Sequence, residues 1–169
     1  MAKDNKTNAM RKLDSLKIPY KEHYYTDTDA VNGLETAMVL GEDPEQVFKT
    51  LVTKGKSGEH YVFLVPVSSE LDLKKAAAAV GEKAVTMLKA KELLPLTGYI
   101  HGGCSPIGMK KFFRTTVNET AELFNTIYFS GGRIGFQIEM SLDDLKKVIP
   151  FTLCDITVDN AGQGGQDNG

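Results

Sequence analysis

The apolar positions change period along the chain, and those changes mark out its elements. Over 5–17 the residues Ala9, Met10, Leu13 and Leu16 recur at helical spacing, with Thr7 or Asn5 placed to cap the start and Pro19 to end the helix. Residues 20–25 alternate as a strand does, and 27–33 are polar and turn-like. Residues 34–40 read as a short helix closed by Gly41, and Asp43-Pro44-Glu45-Gln46 as a single helical turn. Phe48 to Thr53 predicts a strand, 54–58 a turn, and the near-continuous apolar run 60–67 a strand buried on both faces, so that these two make a hairpin in the centre of a sheet. Asp72 to Gly81 carries an N-cap, an alanine run and a terminal glycine, which together predict a helix. A short strand at 85–87 and a helix at 90–94, stopped by Pro95, follow.

Beyond the middle of the chain, 112–117 and 126–130 predict strands. The second runs into Gly131-Gly132-Arg133 and pairs as a hairpin with 135–140. Ser141 opens a helix reaching Val148, and 151–156 packs back as the last element. Residues 159–169, rich in glycine and glutamine, predict a flexible tail to a single domain at 1–158. Helices and strands interleave irregularly and several strand pairs are hairpins. The expected class is therefore α/β of the mixed α+β kind, one mostly antiparallel sheet surrounded by helices, rather than a doubly wound parallel sheet.

Composition narrows the function. The chain has 169 residues, 41% hydrophobic and 25% charged, with a formal net charge of −2, so it is no general polyanion binder and DNA is not an expected partner. No stretch is long enough to span a membrane, the start is too polar for a secretory signal, and Cys104 and Cys154 make no disulfide framework. These features point to a cytoplasmic enzyme of bacterial type.

The most distinctive stretch is 98–108, which holds four of the sixteen glycines together with Ser105-Pro106. Such a segment is a shaped loop. Two readings fit it: a structural turn, or a cradle whose backbone N–H groups, Gly102 and Gly103 foremost, face an oxyanion. Lys49 stands alone as a cation in an apolar strand. Either its ammonium reaches water from an edge position, or it points into a cleft to bind phosphate or a polarised carbonyl. Ser130-Gly131-Gly132-Arg133 is either a plain hairpin loop or a second wall of that cleft, with Ser130 as hydrogen-bond donor. Ser130 lacks the Gly-x-Ser-x-Gly setting of a hydrolase nucleophile, the phosphate-loop and dinucleotide fingerprints are absent, and His101-x-x-Cys104 is too little for a metal site. Lys74-Lys75 and Lys110-Lys111 with Arg114 are basic clusters that read as solvated faces or as a patch steering an acidic polymer.

Several motifs in order, Val47-Phe48-Lys49-Thr50-Leu51, Leu71-Asp72-Leu73-Lys74-Lys75, Thr97 to Lys111, and Ile127-Tyr128-Phe129-Ser130-Gly131-Gly132, make the chain from about Thr7 to Ile156 resemble the bacterial Cys-tRNA(Pro)/Cys-tRNA(Cys) deacylases of the YbaK/EbsC type, relatives of the editing domain of bacterial prolyl-tRNA synthetase. The resemblance implies one domain with a barrel-like mixed sheet. The implied activity is hydrolysis of the ester joining a wrongly attached amino acid to the tRNA 3′ end, with no metal or organic cofactor and with prolyl-tRNA synthetase as partner in a ternary complex. It implies Lys49, Gly102 and Gly103 as catalytic residues and Tyr25, Thr50, Ser105, Ser130, Gly131 and Gly132 as substrate-binding residues. Family members can carry an aspartate where this chain has Gln137, and an aliphatic residue is common in place of Cys104. In cysteine-specific members the substrate's own thiol is the implied nucleophile. An Ala-tRNA(Pro) deacylase using water, and a non-catalytic module that captures tRNA ends or nucleotides, are the alternative readings.

Overall fold

The computed structural model describes residues 6–30 and 32–159. Helix α1, Asn8–Ser15, is capped by the Thr7 hydroxyl, which accepts from Met10 N–H. It ends before Pro19 is reached. Lys17 turns left-handed (φ 58°), its N–H donates to Asp14 O, and Ile18 N–H donates to Leu13 O, which closes the helix on its own orphan carbonyls. Strand β1 is Lys21–Tyr24 and helix α2 is Gly33–Leu40, capped by Asn32 and closed by Gly41 in the left-handed region. The turn at 43–46 follows, with Asp43 Oδ1 accepting from Glu45 N–H.

Strands β2 (Phe48–Gly55) and β3 (His60–Pro66) form the expected hairpin, and β3 is buried almost throughout because it is the middle strand of five. Helix α3, Leu73–Val80, has Asp72 as N-cap and Gly81 as C-cap. Strand β4 is Val85–Met87, and helix α4 spans Ala90–Thr97. The expectation that Pro95 would stop α4 is corrected: the helix runs through it, held by the Thr97 hydroxyl on Leu93 O and by Gly98 N–H on Leu94 O. Strand β5 is Arg114–Asn118, followed by a 3-10 helix at Glu119–Leu123 that the apolar pattern does not announce. Strands β6 (Ile127–Arg133) and β7 (Phe136–Met140), helix α5 (Leu142–Val148, capped by Ser141) and strand β8 (Thr152–Cys154) complete the described chain. Of the expected tail, 160–169 lies outside the described residues. Asp159 is held by Lys75 at 2.8 Å.

The strands fall in two sheets, β1-β7-β6 and β4-β2-β3-β5-β8, joined where Val47 bridges Tyr128 in parallel. Four of the strand pairs are antiparallel, whereas β3-β5 and β5-β8 are parallel. The two sheets wrap a common core. Phe48, Val52, Val62 and Leu64 from the larger sheet meet Ile127, Phe129, Phe136, Ile138 and Met140 from the smaller, with Met10 and Leu13 of α1 and Ile107 of the glycine-rich loop filling the space between. A second cluster, Tyr61, Phe63 and Val65 against Ala76, Ala77 and Val80, seats α3 on the other face of β3.

Candidate active site

The site begins with an interrupted sheet edge. Toward its first end, β2 is covered by β6, where Tyr128 N–H donates to Gln46 O; toward its last, by β4, where Leu88 N–H donates to Val52 O. In an antiparallel strand alternate residues direct both backbone groups to the same side. Phe48 and Thr50, between Gln46 and Val52, therefore turn N–H and C=O to a stretch of edge that no strand covers among the described residues. A cavity of about 290 Å³ opens against this gap.

Tyr25, Lys49, Thr50, Gly102 and Ser130 all line this cavity, although they come from four separate stretches of chain. Lys49 is about one-quarter exposed, and its ammonium stands 3.5 Å from Oε1 of the exposed Glu70. An ion pair so long and so open to water holds its partners weakly, which leaves the ammonium free to exchange to another anion. The Thr50 hydroxyl is buried with no hydrogen-bond partner. Ser130 Oγ accepts from Gly132 N–H at 3.1 Å, so its own proton remains available to donate. Gly102 adopts φ 90°, and its N–H makes no hydrogen bond to another described residue.

The other expected residues lie behind this wall. Gly103 N–H is engaged with Ile100 O at 2.9 Å, so the expectation of two neighbouring glycine amides facing an oxyanion reduces to Gly102 alone. A Cβ on Gly103 would stand 3.0 Å from Ile134 N, so the residue keeps the two glycine-rich stretches in backbone contact. Ser105 is fully buried, and its hydroxyl accepts from Ile107 N–H. Gly131 accepts from the Thr7 hydroxyl. Gly132, at φ 106°, packs so closely that a Cβ would lie 3.1 Å from both Thr7 and Tyr99. Nor do Gly131 and Gly132 form the hairpin turn: both belong to β6, beside a register shift between Ser130 and Arg133, and the turn follows them.

A polar face closes the cavity. Ser130 of β6 and His23 of β1 stand opposite Gln137 of β7. Gln137 is 2% exposed, lines the cavity, and donates from Nε2 to Glu42 Oε1 at 2.8 Å, while its Oε1 is buried without a partner. Two positions on, Glu139 takes His23 Nε2 at 2.8 Å and the Thr126 hydroxyl at 2.6 Å. Burial would raise the Glu139 carboxyl, but those hydrogen bonds outweigh it and hold it below its ordinary range. Burial pushes the Glu42 carboxyl up, against the pull of the Gln137 amide and His23. Cys104, 7% exposed beside Gly102, is pushed up to about 12 by burial, so its thiol is not an ionised nucleophile near neutral pH. Among the described residues no group of three or more His, Cys, Asp or Glu side chains converges as metal ligands would, and no helix is long and apolar enough to cross a membrane. Glu42, Gln137, His23 and Glu139 are among the members of this site that residue chemistry alone did not select. Only the tertiary contact with Gln137 reveals Glu42.

Known proteins share this arrangement of chain. A protein of Enterococcus faecalis named "Putative Cys-tRNA(Pro)/Cys-tRNA(Cys) deacylase EbsC" is 43% identical over 153 residues, covering 90% of this chain and 93% of that protein. The proline–tRNA ligase of Thermosipho africanus is 31% identical over 107 residues, which is 56% of this chain but 19% of the ligase. A crystal structure titled as that of "a putative trans-editing enzyme for prolyl tRNA synthetase" superposes with a TM-score of 0.77 over 90% of this chain and 98% of its own, at 24% identity, and so shares the fold. By class, then, the protein is an editing enzyme, a hydrolase of aminoacyl-tRNA. It belongs to the aminoacyl-tRNA editing domain family, whose model matches residues 29–148. That span includes every expected site residue except Tyr25.

Proposed function

We propose that the protein removes cysteine from mischarged Cys-tRNA(Pro), and from Cys-tRNA(Cys), with the substrate's own thiol as the attacking group. The observation that carries this reading is a cavity that can hold an ester and, although His101 also lines it, pairs no hydroxyl nucleophile with a base among the described residues. It offers the open β2 edge, the Gly102 amide, Lys49 and the hydroxyls of Thr50 and Ser130. Among the described residues neither Ser130 nor Thr50 has a basic side chain hydrogen-bonded to it, and the Cys104 thiol is held protonated.

In this reaction the cysteinyl sulfur attacks its own ester carbonyl and the C–O bond to the ribose breaks. The thiol's proton passes to the departing ribose oxygen, and water then opens the resulting thiolactone to free cysteine. Gly102 N–H meets the oxyanion and Lys49 supplies positive charge to the substrate. Tyr25, Thr50 and Ser130 hold the aminoacyl group and the terminal adenosine. Holding the reacting groups together is itself worth several kcal/mol. Gly103, Ser105, Gly131 and Gly132 act from behind by fixing the two loops. Prolyl-tRNA synthetase is the partner that selects tRNA(Pro), in the cytoplasm where tRNA is charged. Incubating the purified protein with Cys-, Ser- and Ala-tRNA(Pro) tests the reading. Cysteine is released rapidly while serine and alanine stay near the uncatalysed rate. Efficient serine release would exclude thiol attack, and preferential alanine release would replace it with attack by water.

A further inference from the structure

We propose that Glu42 is a positioning residue for the substrate's α-ammonium group, acting through the side-chain amide of Gln137. The proposal rests on the deacylase reading and adds to it a determinant for the free amino end of the aminoacyl group.

Gln137 is a cavity residue whose buried amide is half satisfied. Nε2 donates to Glu42 Oε1 at 2.8 Å and Oε1 has no partner, in a side chain that is 98% buried by its 2% exposure. A buried carbonyl without a donor costs free energy until a donor arrives. A carboxylate can only accept hydrogen bonds, so the amide cannot turn its oxygen to Glu42 and its NH₂ to the cavity. Glu42 thereby decides which end of the amide is left for a ligand. It is also held to do so: α2 closes with Gly41 N–H on Met38 O and Glu42 N–H on Ala37 O, which fixes the Glu42 backbone directly after the left-handed glycine.

The ligand that fits is a cation with N–H donors. Every aminoacyl ester carries one, and an ammonium offers three donors. An amide in place of a carboxylate would by itself leave the wall neutral, but the half-buried carboxylate of Glu42 restores negative charge one side chain further back. Ser130, opposite Gln137 on β6, places its hydroxyl on the same wall.

The test measures binding of a non-hydrolysable aminoacyl-adenosine analogue, 3′-cysteinylamino-3′-deoxyadenosine, with the α-amino group free or N-acetylated. A charge-assisted hydrogen bond gives the wild-type protein a preference for the free amine of about tenfold or more. Glu42→Leu leaves the amide free to turn and reduces the preference to less than about twofold, within the scatter of one weak hydrogen bond. The isosteric variant Glu42→Gln keeps the packing but can both accept and donate, so it no longer decides which end of the Gln137 amide faces the cavity and lowers the preference as Glu42→Leu does, which a merely structural role for Glu42 would not do. Equal wild-type affinity for the two analogues overturns the proposal, as does a preference that survives Glu42→Leu or is unchanged in Glu42→Gln. If neither analogue binds while Cys-tRNA is still hydrolysed, this proposal fails alone. If hydrolysis is also absent, the deacylase reading fails with it.

Discussion

At the scale of single residues the site separates groups that are chemically available from groups that are committed. Lys49 is available because its partner, Glu70, is exposed and 3.5 Å away. Cys104 is committed, because burial holds its proton far above neutral pH although it lies beside the cavity. Alkylation at pH 8 should therefore modify the half-exposed Cys154 well before Cys104, and Cys104→Ala should keep its deacylase activity, because in the proposed reaction the attacking sulfur is the substrate's. Mass mapping of the alkylated protein, together with the activity of the variant, checks both. Rapid labelling of Cys104, or loss of activity on its removal, would make it the nucleophile instead. The pair Glu42–Gln137 is a third kind of group, satisfied on one side only.

At the scale of elements, the features that local chemistry dictates were legible in the sequence. Asp72 and Gly81 delimit α3, Gly41 closes α2, and Ser141 opens α5, each through hydrogen bonds within a few residues. What was not legible depends on distant partners. Gly131 and Gly132 read as a turn, yet they lie in β6, where a Cβ on Gly131 would crowd the Phe136 backbone and Met10 and one on Gly132 would crowd Thr7 and Tyr99. The 3-10 helix carries no local signal, and the continuation of α4 through Pro95 is marked locally only by Gly98, a left-handed closing glycine like Gly41 and Gly81. For the site, Lys49, Thr50, Tyr25, Gly102 and Ser130 were selected by residue type and family motif, whereas the open β2 edge emerges only from how β4 and β6 divide it. Gly132→Ala tests the packing account. A Cβ at φ 106° meets two neighbours at 3.1 Å, so the variant should lose roughly 1–3 kcal/mol of stability in a denaturant melt. An unchanged melt would show that the loop relaxes without cost.

At the scale of the whole molecule, the basic clusters that could have steered tRNA are largely engaged within the fold. Lys75 is held by Asp155, Asp159 and Thr157 O, Arg114 reaches the carbonyls that end α3, and Lys110 reaches Pro95 O. With a net charge of −2, the molecule offers no general attraction to a polyanion such as a tRNA body. The isolated protein should therefore bind tRNA weakly and with strong salt dependence, and synthetase should tighten binding and favour tRNA(Pro). Tight, tRNA(Pro)-selective binding by the protein alone at physiological salt would contradict this. The claim beneath all three scales is that this cavity hydrolyses a cysteinyl ester with Lys49 supplying charge. It is tested most directly by the initial rate of cysteine release from Cys-tRNA(Pro), measured for the wild-type protein and Lys49→Ala against a protein-free blank. The account predicts a wild-type rate far above the blank and a variant slower by roughly a hundredfold or more, with an unchanged melting temperature. A wild-type rate at the blank, or a Lys49→Ala variant as fast as the wild type, would contradict it.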